Sequence, residues 1–207
     1  SQPLRCRKID EQRFAVTGTP TDSVVLALNH IIPGPRPDLV LSGVNRGANM
    51  AEDVTYSGTI AGAMEGTLAG IPSIALSQAI DPITQDVNWG ASKRYGTQIV
   101  KQLLELGWND GTFINVNFPR YGEDKVKGVK ITEQGQRDIS DLKIEERFDL
   151  RGNAYYWFGL GREVEAPGAK TDLKLVRDGY ISITPLHLNL TQYSMQDRMT
   201  EALDVDF

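Results

Sequence analysis

The residues best suited to chemistry lie in one short stretch, between an apolar segment and a helix of small side chains. Asn45 and Asn49 stand four residues apart, and a Ser-Gly-Thr sequence follows at Ser57, Gly58 and Thr59. An asparagine offers a carbonyl oxygen that suits Mg²⁺ or Mn²⁺. The serine and threonine offer hydroxyl groups, and a helix start offers free N–H groups and the positive end of a dipole. The stretch fits a metal-assisted phosphate site, but its asparagines and glycines fit an ordinary turn as well.

This stretch matches neither of two common phosphate-binding motifs. It lacks the Gly-Lys-Ser/Thr ending of a Walker A loop, and it is not a dinucleotide-binding fingerprint. Asp22, Glu52 and Asp53 are nearby acids that could ligate or support a metal, although Asp22 also fits a helix-capping role and Asp53 a solvated loop. His187 would be either a proton donor or a structural residue. No Ser–His–acid order indicates a nucleophilic triad.

Alternating strands and helices must position these side chains. Apolar runs predict strands at residues 13–16, 38–42, 72–77, 112–118, 126–132 and 178–185. Helices are predicted at residues 20–32, 60–69 and 91–106. This order implies a parallel sheet with helices on both faces, in which residues 38–42 are buried on both sides. Ligands of such sheets bind beyond the carboxyl ends of the strands, which is where Asn45 and Asn49 lie.

The predicted helices carry three more expectations. Thr19 should cap the first helix, with Pro20 at its first position and Asp22 at its third. Ser57 should cap the second helix, whose many small residues predict a close approach to the sheet. Apolar stripes are expected along the first and third helices, at Val24, Val25, Leu28, Ile31 and Ile32, and at Tyr95, Ile99, Leu103 and Leu106.

The pattern changes near Lys125. We expect residues 1–124 to form the α/β core, residues 125–190 a β-rich segment, and residues 191–207 a helical tail. Within the second segment, a hairpin arm spans about residues 134–158, with its turn at residues 151–153. Such an arm has little core of its own. It would pack against a partner subunit or fold back on its own domain.

Composition excludes several classes of protein. The net charge of −5 argues against a general binder of nucleic acids or membrane surfaces. Cys6 is the single cysteine, so the chain can form no internal disulfide, and a free thiol fits a reducing compartment such as the cytoplasm. No apolar run approaches the length of a membrane span.

Several long motifs, in order, closely resemble those of the SurE survival-protein family. They lie at residues 18–22, 36–49, 53–66, 115–119, 151–157 and 171–186, so the resemblance covers nearly the whole chain. It implies a metal-dependent phosphatase that hydrolyses nucleoside 5′-monophosphates and often 3′-monophosphates. It also implies a Rossmann-like three-layer α/β/α fold with a mostly parallel sheet, a protruding hairpin and an exchanged C-terminal segment. Homodimers or homotetramers would form through the arm and the tail.

The resemblance also implies residue roles. Asn45 corresponds to a metal ligand that the family combines with two adjacent aspartates and a serine, with Mg²⁺ or Mn²⁺ as the metal. Asn49 and Ser57 correspond to catalytic residues, and Gly58 and Thr59 to phosphate-binding residues.

The family's Asp-Asp-Gly motif and its metal-binding serine are not in this sequence. We expect the sequence to be a fragment that lacks roughly fifty residues, about one βαβ unit with a long loop. The alternative is a short homologue that has lost the site, but a deletion there would remove a central strand and expose two apolar edges.

Two other functions stay open. The same loop could hold a nucleotide without turnover, as in a binding module. Alternatively, the chain could be an assembly protein dominated by its hairpin and tail.

Overall fold

The structure, a computed structural model of the chain, describes residues 3–137, 143–159 and 168–203. The strands are β1 (Cys6–Lys8), β2 (Phe14–Val16), β3 (Val40–Arg46), β4 (Ser73–Gln78), β5 (Thr112–Phe118), β6 (Val129–Ile131), β7 (Lys143–Phe148), β8 (Ala154–Gly159) and β9 (Ile181–His187). The α-helices are α1 (Pro20–Leu26), α2 (Gly58–Leu68), α3 (Gly90–Leu106), α4 (Asp172–Arg177) and α5 (Tyr193–Leu203). A π-helical turn, Ala27–Ile31, continues α1, and a 3-10 helix, Ala51–Thr55, precedes α2.

Five strands form the central sheet, in the order β3-β4-β5-β9-β6. The pairs β3–β4, β4–β5 and β6–β9 are parallel, while β9 runs antiparallel to β5. Helix α2 packs on one face and α3 on the other. The predicted α/β class, with a mostly parallel sheet between helical layers, is therefore confirmed.

The division into a core, a β-rich segment and a tail stays a prediction. Strands β6 and β9 both lie within residues 125–190, yet they belong to the same sheet as β3, β4 and β5. Strands β1 and β2 form a separate antiparallel pair.

Helix α1 begins where its capping residues predict. Thr19 Oγ1 accepts a hydrogen bond from Asp22 N at 3.1 Å, and Asp22 Oδ2 accepts one from Thr19 N at 2.8 Å. The apolar stripe predicted for this helix is wrong in part, because Val25 and Ile32 are exposed and no residue of α1 is buried. The helix packs against α2 and not directly on the sheet, so it covers less apolar surface than the stripe implied.

Among the strands that the structure describes, β3 lies at the edge of the sheet, so it is not buried there on both faces as predicted. Leu41 is 49% exposed, whereas Val40 and Ser42 on the opposite face are buried under α2. Helix α3 covers the neighbouring strands on the side of Leu41, including Ile74 in β4, but none of the core residues around α3 comes from β3. Apolar sequence alone could not separate an edge position from a central one.

Helix α3 buries the middle of its predicted stripe. Ile99 and Leu103 pack against Ile74, Ile114 and other apolar side chains of the sheet. Leu106 is 79% exposed, contrary to the prediction, because it is the last residue of the helix and extends past the strands.

Helix α2 approaches the sheet as closely as its small residues predict. A Cβ atom on Gly62 would lie 2.6 Å from Ser42 Oγ, and one on Gly66 would lie 2.8 Å from Val40 Cβ. Both distances are well inside van der Waals contact, so only glycine allows the helix this position.

The hairpin is present, with its strands β7 and β8 joined through the predicted turn. Its first strand begins at Lys143 and not at Gln134, since residues 134–137 instead contact the loop before α2. The part of the predicted arm at residues 138–142 lies outside the described residues. The hairpin exposes large apolar side chains, including Trp157 at 59%.

The predicted C-terminal helix is found as α5, and none of its residues is buried. Of the helices that the structure describes, none is long and apolar enough to cross a membrane.

Candidate functional site

The candidate site begins at the carboxyl end of β3. The pairing of β3 with β4 shifts register between Ser42 and Asn45, which places Asn45 beside Ser77. The peptide bond between Gly43 and Val44, within this irregular part, is cis. Asn45 Nδ2 donates to the carbonyl oxygen of Gly47 at 2.9 Å, which fixes the orientation of the amide. The residue is half-buried.

Asn49 lies in the loop after β3 and is held on three sides by buried polar groups. Its Nδ2 donates to Ser77 Oγ at 2.7 Å. Its backbone N–H donates to Asn117 Oδ1 at 2.8 Å. Its backbone carbonyl oxygen accepts from Asn115 Nδ2 at 2.8 Å and from Asn117 Nδ2 at 3.1 Å. The structure thus brings Asn45 and Asn49 together around Ser77, at the ends of β3 and β4.

Helix α2 packs over β3. Gly66 packs over Val40 and Gly62 over Ser42, so α2 runs antiparallel to β3. The start of α2 is therefore directed toward the carboxyl end of β3, and a Cβ atom on Gly58 would lie 3.1 Å from Pro20 Cδ of α1. The carboxyl end of β3 is the end that carries Asn45.

Ser57 caps α2 as predicted, because its Oγ accepts from Ile60 N at 3.1 Å. The N–H groups of Gly58 and Thr59 occupy the first two helical positions, where no intrahelical acceptor exists. Thr59 is buried, and no hydrogen bond from a described residue engages its hydroxyl group. The end of α2 therefore offers two N–H groups, two hydroxyl groups and a positive dipole end to an anion.

The three acids singled out from the sequence have other partners. Asp22 belongs to the capping box of α1, where the backbone N–H of Thr19 and then its hydroxyl group lower the pKa of the Asp22 carboxyl. Arg137 binds the other two. Its backbone N–H donates to Glu52 at 3.0 Å and its guanidinium forms an ion pair with Asp53. Glu52 and Asp53 thus anchor residues 133–137.

Asp172 is a buried acid that holds the loop after β3 by accepting backbone hydrogen bonds from three segments of the chain. Its carboxylate accepts backbone N–H groups from Ala51 at 3.0 Å, Gly135 at 2.9 Å and Leu173 at 2.7 Å. Burial raises the pKa of the Asp172 carboxyl, while those N–H groups and the charge of Arg137 act in the opposite direction. One side chain therefore ties the loop after β3 to α4 and to the segment after β6.

His187 lies away from the site. It ends β9 opposite Thr112, the first residue of β5, and its Nδ1 accepts from Asn189 N at 2.9 Å. Because β9 is antiparallel to β5, this end of β9 lies beside the amino ends of the parallel strands, whereas Asn45 lies at their carboxyl ends. The geometry favours the structural role for His187 over a proton donor.

The described residues provide one metal ligand of the expected type and not a complete set. Asn45 Oδ1 is an oxygen ligand of the kind that Mg²⁺ or Mn²⁺ accepts. Among the residues that the structure describes, however, no three acidic, histidine or cysteine side chains cluster in a way that could hold a metal ion. The carboxylates of a divalent-cation site would have to come from elsewhere.

Four residues that support the site were not singled out from the sequence as site candidates: Ser77, Asn115, Asn117 and Asp172. The first three are polar residues near the carboxyl ends of neighbouring predicted strands, and that position is the signal that would have indicated them. Asp172 follows Thr171 at a helix start, where an acid is ordinary. No local signal marks its contact with Ala51.

Comparisons with known proteins agree on one family. The family model described as Survival protein SurE matches residues 1–141. A protein named 5′-nucleotidase SurE from Caulobacter vibrioides is 50% identical over 193 residues, which is 92% of this chain and 73% of that protein. Another of that name, from Parvibaculum lavamentivorans, is 47% identical over 98% of this chain and 74% of its own length.

A solved structure gives the same result. The crystal structure of the SurE protein from Aquifex aeolicus has a TM-score of 0.82 and 38% sequence identity. The similarity covers 98% of this chain and 80% of that chain.

Proposed function

We propose that this chain, which belongs to the SurE survival-protein family, hydrolyses nucleoside 5′-monophosphates to nucleoside and inorganic phosphate. The observation that carries the proposal is the arrangement at the carboxyl end of β3. Two asparagines lie beside the ends of the strands, and α2 runs antiparallel to β3 with its N-terminus directed toward the same end. The curated relatives with about half of their residues identical carry the name 5′-nucleotidase.

The phosphate group would bind at the start of α2. The N–H groups of Gly58 and Thr59 lie in the first turn of the helix, where no intrahelical acceptor exists, and the helix dipole favours a negative charge there. Ser57 Oγ accepts from Ile60 N, so its own hydroxyl hydrogen is available to a phosphate oxygen. These donors are already in place before substrate binds.

Hydrolysis joins the oxygen of a water molecule to phosphorus, breaks the bond from phosphorus to the nucleoside oxygen, and leaves a proton on that oxygen. Negative charge on the phosphoryl oxygens must be balanced in the transition state. In this proposal Asn49 and Ser57 donate hydrogen bonds to those oxygens. Removing one such donor typically lowers kcat by about 100- to 1,000-fold.

Asn45 would hold a divalent cation, Mg²⁺ or Mn²⁺, through Oδ1, because the hydrogen bond to Gly47 uses Nδ2 and not Oδ1. When bound, such a cation polarises a phosphoryl oxygen and the attacking water. Its carboxylate ligands are not among the described residues.

Asn45→Ala in the protein produced from its native gene tests this function. We expect both the affinity for Mn²⁺, measured by calorimetry, and phosphate release from AMP or GMP at limiting Mn²⁺ to fall together. Asn29→Ala is the matched control, because Asn29 is an exposed asparagine that only donates to Val25 O. No release of phosphate by the wild type would refute the function, and an unchanged Asn45→Ala variant would refute the role of Asn45.

The same donors at the start of α2 would accept a phosphate on the 3′ oxygen, because they contact only phosphoryl oxygens. The proposal therefore includes 3′-monophosphates. Phosphate release from 3′-AMP at a rate comparable to that from 5′-AMP is the expected outcome. Release from 5′-AMP alone would restrict the proposal to one position.

Homodimers or homotetramers would form through the hairpin β7–β8 and helix α5. Both expose large apolar side chains, such as Trp157, Phe158 and Met199. A variant in which a short Gly-Ser linker replaces residues 143–159 keeps the contacts of Gln134 with Ala51 and of Arg137 with Glu52. We expect this variant to form a smaller oligomer, with a lower sedimentation coefficient. An unchanged oligomeric state would exclude the hairpin.

A cytoplasmic location completes the proposal. Cys6 is free and exposed, which suits a reducing compartment. Cell fractionation checks it, and recovery outside the cytoplasm would contradict it.

A further inference from the structure

Asn117 holds the backbone of Asn49 through two hydrogen bonds. Its side-chain amide makes two hydrogen bonds to the backbone of one residue, accepting from Asn49 N at 2.8 Å and donating to Asn49 O at 3.1 Å. Two bonds from one planar group fix both the place and the orientation of that backbone. Asn117 is fully buried in β5, the strand next to β4, so it does not move with the loop.

The loop around Asn49 is attached at both ends, and Met50 packs in an apolar cluster with Leu173 and Val176. It spans only residues 47–50, between the end of β3 and the start of the 3-10 helix. Gly47 N donates to Gln78 O at 2.9 Å at one end, and Ala51 N donates to Asp172 at the other. Between them, the attachments to the sheet are made by Ser77, Asn115 and Asn117.

Packing does not explain asparagines at these places. The side chains of Ile114 and Val116, which alternate with Asn115 and Asn117 on β5, fill an apolar core. Asn115 Oδ1 is buried and has no hydrogen-bond partner among the described residues. A buried acceptor without a partner costs free energy, so a face built only for stability would carry apolar side chains instead. What the two amides do share is the carbonyl oxygen of Asn49.

We propose that Asn117 is a positioning residue for the phosphohydrolase site, one that acts through Asn49 and does not touch substrate. It keeps the loop backbone in register so that the Asn49 side chain, held by Ser77, meets the phosphoryl group at the right place. The proposal rests on the proposed function. A misplacement of roughly 1 Å at such a site can lower kcat by about 100-fold, so loss of the two bonds is enough to inactivate it.

Amide hydrogen exchange tests the two hydrogen bonds from Asn117 to the backbone of Asn49, here called the clamp, without reference to the reaction. In the native protein Asn49 N–H should be protected, since its acceptor is fully buried. Asn117→Ala should speed exchange at Asn49 by at least about tenfold relative to core amides of β4, because the only acceptor of that N–H is gone. Ser182→Ala is the matched control. It removes a buried hydroxyl group next to Asn117 whose one hydrogen-bond partner among the described residues is Thr132, and it should leave Asn49 protected.

A double-mutant cycle in kcat tests the functional part. Asn117→Ala should lower kcat about 100-fold in the wild type but less than about threefold when Asn49 is already alanine. An equal loss of kcat in both backgrounds would mean that Asn117 acts through general stability, and would overturn the proposal. KM should change less than kcat, because the lost interaction is made mainly in the transition state.

Asn117→Asp covers the case in which the alanine variant does not fold. Aspartate keeps the shape and the acceptor for Asn49 N–H, but it replaces the donor with an oxygen that faces Asn49 O. We expect protection at Asn49 to persist in part and kcat to fall, again only when Asn49 is present. Unchanged kcat together with unchanged exchange would refute the clamp. A wild type that releases no phosphate but shows the exchange result would refute the proposed function and keep the clamp.

Discussion

The two faces of the central sheet are built from different chemistry. The face under α3 is mainly apolar, with Ile74, Leu76, Ile114, Val116, Phe118, Ile181 and Ile183. Its exception is the buried Gln78, whose Oε1 accepts from Ser92 N of α3. The opposite face is apolar where Ala75 of β4 and Phe113 of β5 meet α2. Beyond them it becomes polar while remaining buried, with Ser77, Asn115, Asn117, Ser182 and Thr184.

The difference separates two tasks within the same strands. On the α3 face, removal of apolar area from water stabilises the fold without any directional requirement. On the other face, amides and hydroxyl groups hold a loop through directional bonds, which define positions better than apolar contacts do but add less net stability. Alternation along β4 and β5 lets adjacent residues serve both tasks, since successive side chains point to opposite faces.

The largest expected effect is on the apolar face. Phe118→Ala deletes a fully buried ring from the core under α3, and we expect the free energy of unfolding to fall by about 3–5 kcal/mol. Urea denaturation measures it. In Phe118→Ala under native conditions, the protection of Asn49 N–H from hydrogen exchange, relative to the β4 amides, should be unchanged. A selective loss of protection at Asn49 would show that the two faces are not independent.

The next effect is on the acid behind the loop. Asp172→Asn replaces one acceptor oxygen by a donor, so one of the three backbone N–H groups is left without a partner, at a cost of about 1–3 kcal/mol. Because the folded-state pKa of Asp172 is raised above 3.8, its contribution is fully present below pH 3.8 and declines as the pH rises through the higher folded value.

The difference in unfolding free energy between the wild type and Asp172→Asn should therefore be larger near about pH 4 than near about pH 7. Urea denaturation at both pH values measures it. A difference that grows with pH would mean that the three N–H donors outweigh burial.

Helix packing gives the third effect. Gly66→Ala would place a Cβ 2.8 Å from Val40 Cβ, so overpacking of about 1–3 kcal/mol exceeds the gain of about 1 kcal/mol in helix propensity. Gly96→Ala in α3 is the matched control, because its Cβ would meet Phe118 at an ordinary 3.7 Å. We expect the first variant to have a lower Tm and the second a slightly higher one. Equal shifts of Tm would remove the argument for close approach.

The smallest effect is in the polar face away from the loop. Thr132→Val removes a hydroxyl group that bonds Ser182 Oγ at 2.9 Å and Thr184 Oγ1 at 2.7 Å, while keeping the shape. We expect a loss of about 1 kcal/mol, or roughly 2–4 °C in Tm, with kcat unchanged. A large drop in kcat would extend the site-supporting part of this face as far as β6.

Local signals in the sequence predicted most of the elements. The capping box at Thr19 and Asp22 marks the start of α1, and residues 112–118 are the bounds of β5 both as predicted and as found. The cap at Ser57 is likewise a local signal, so the start of α2 could be predicted. These features depend on residues within a few positions of each other.

The rest depends on contacts between distant residues. Leu41 was predicted to be buried because its segment is apolar, but exposure depends on which strands lie on either side. Glu52 and Asp53 were candidates to ligate or support a metal, with a solvated loop acid as the alternative for Asp53, but in the structure both pair with Arg137, far along the chain. Asn117 supports Asn49 across 68 residues of sequence, a distance at which composition and periodicity carry no information.

The hydrogen bond from Ala51 to Asp172 joins residues 121 positions apart, and this has a consequence for how the protein is made. When residues 47–51 are synthesised, neither β5 nor α4 has yet been made. Those residues gain the amides of β5 later, and they gain Asp172 only after α4 has been synthesised and has docked. Contacts so distant in sequence form late because a long loop must close first. The order of synthesis thus delays completion of the loop until Asp172 and the helix that carries it have been made.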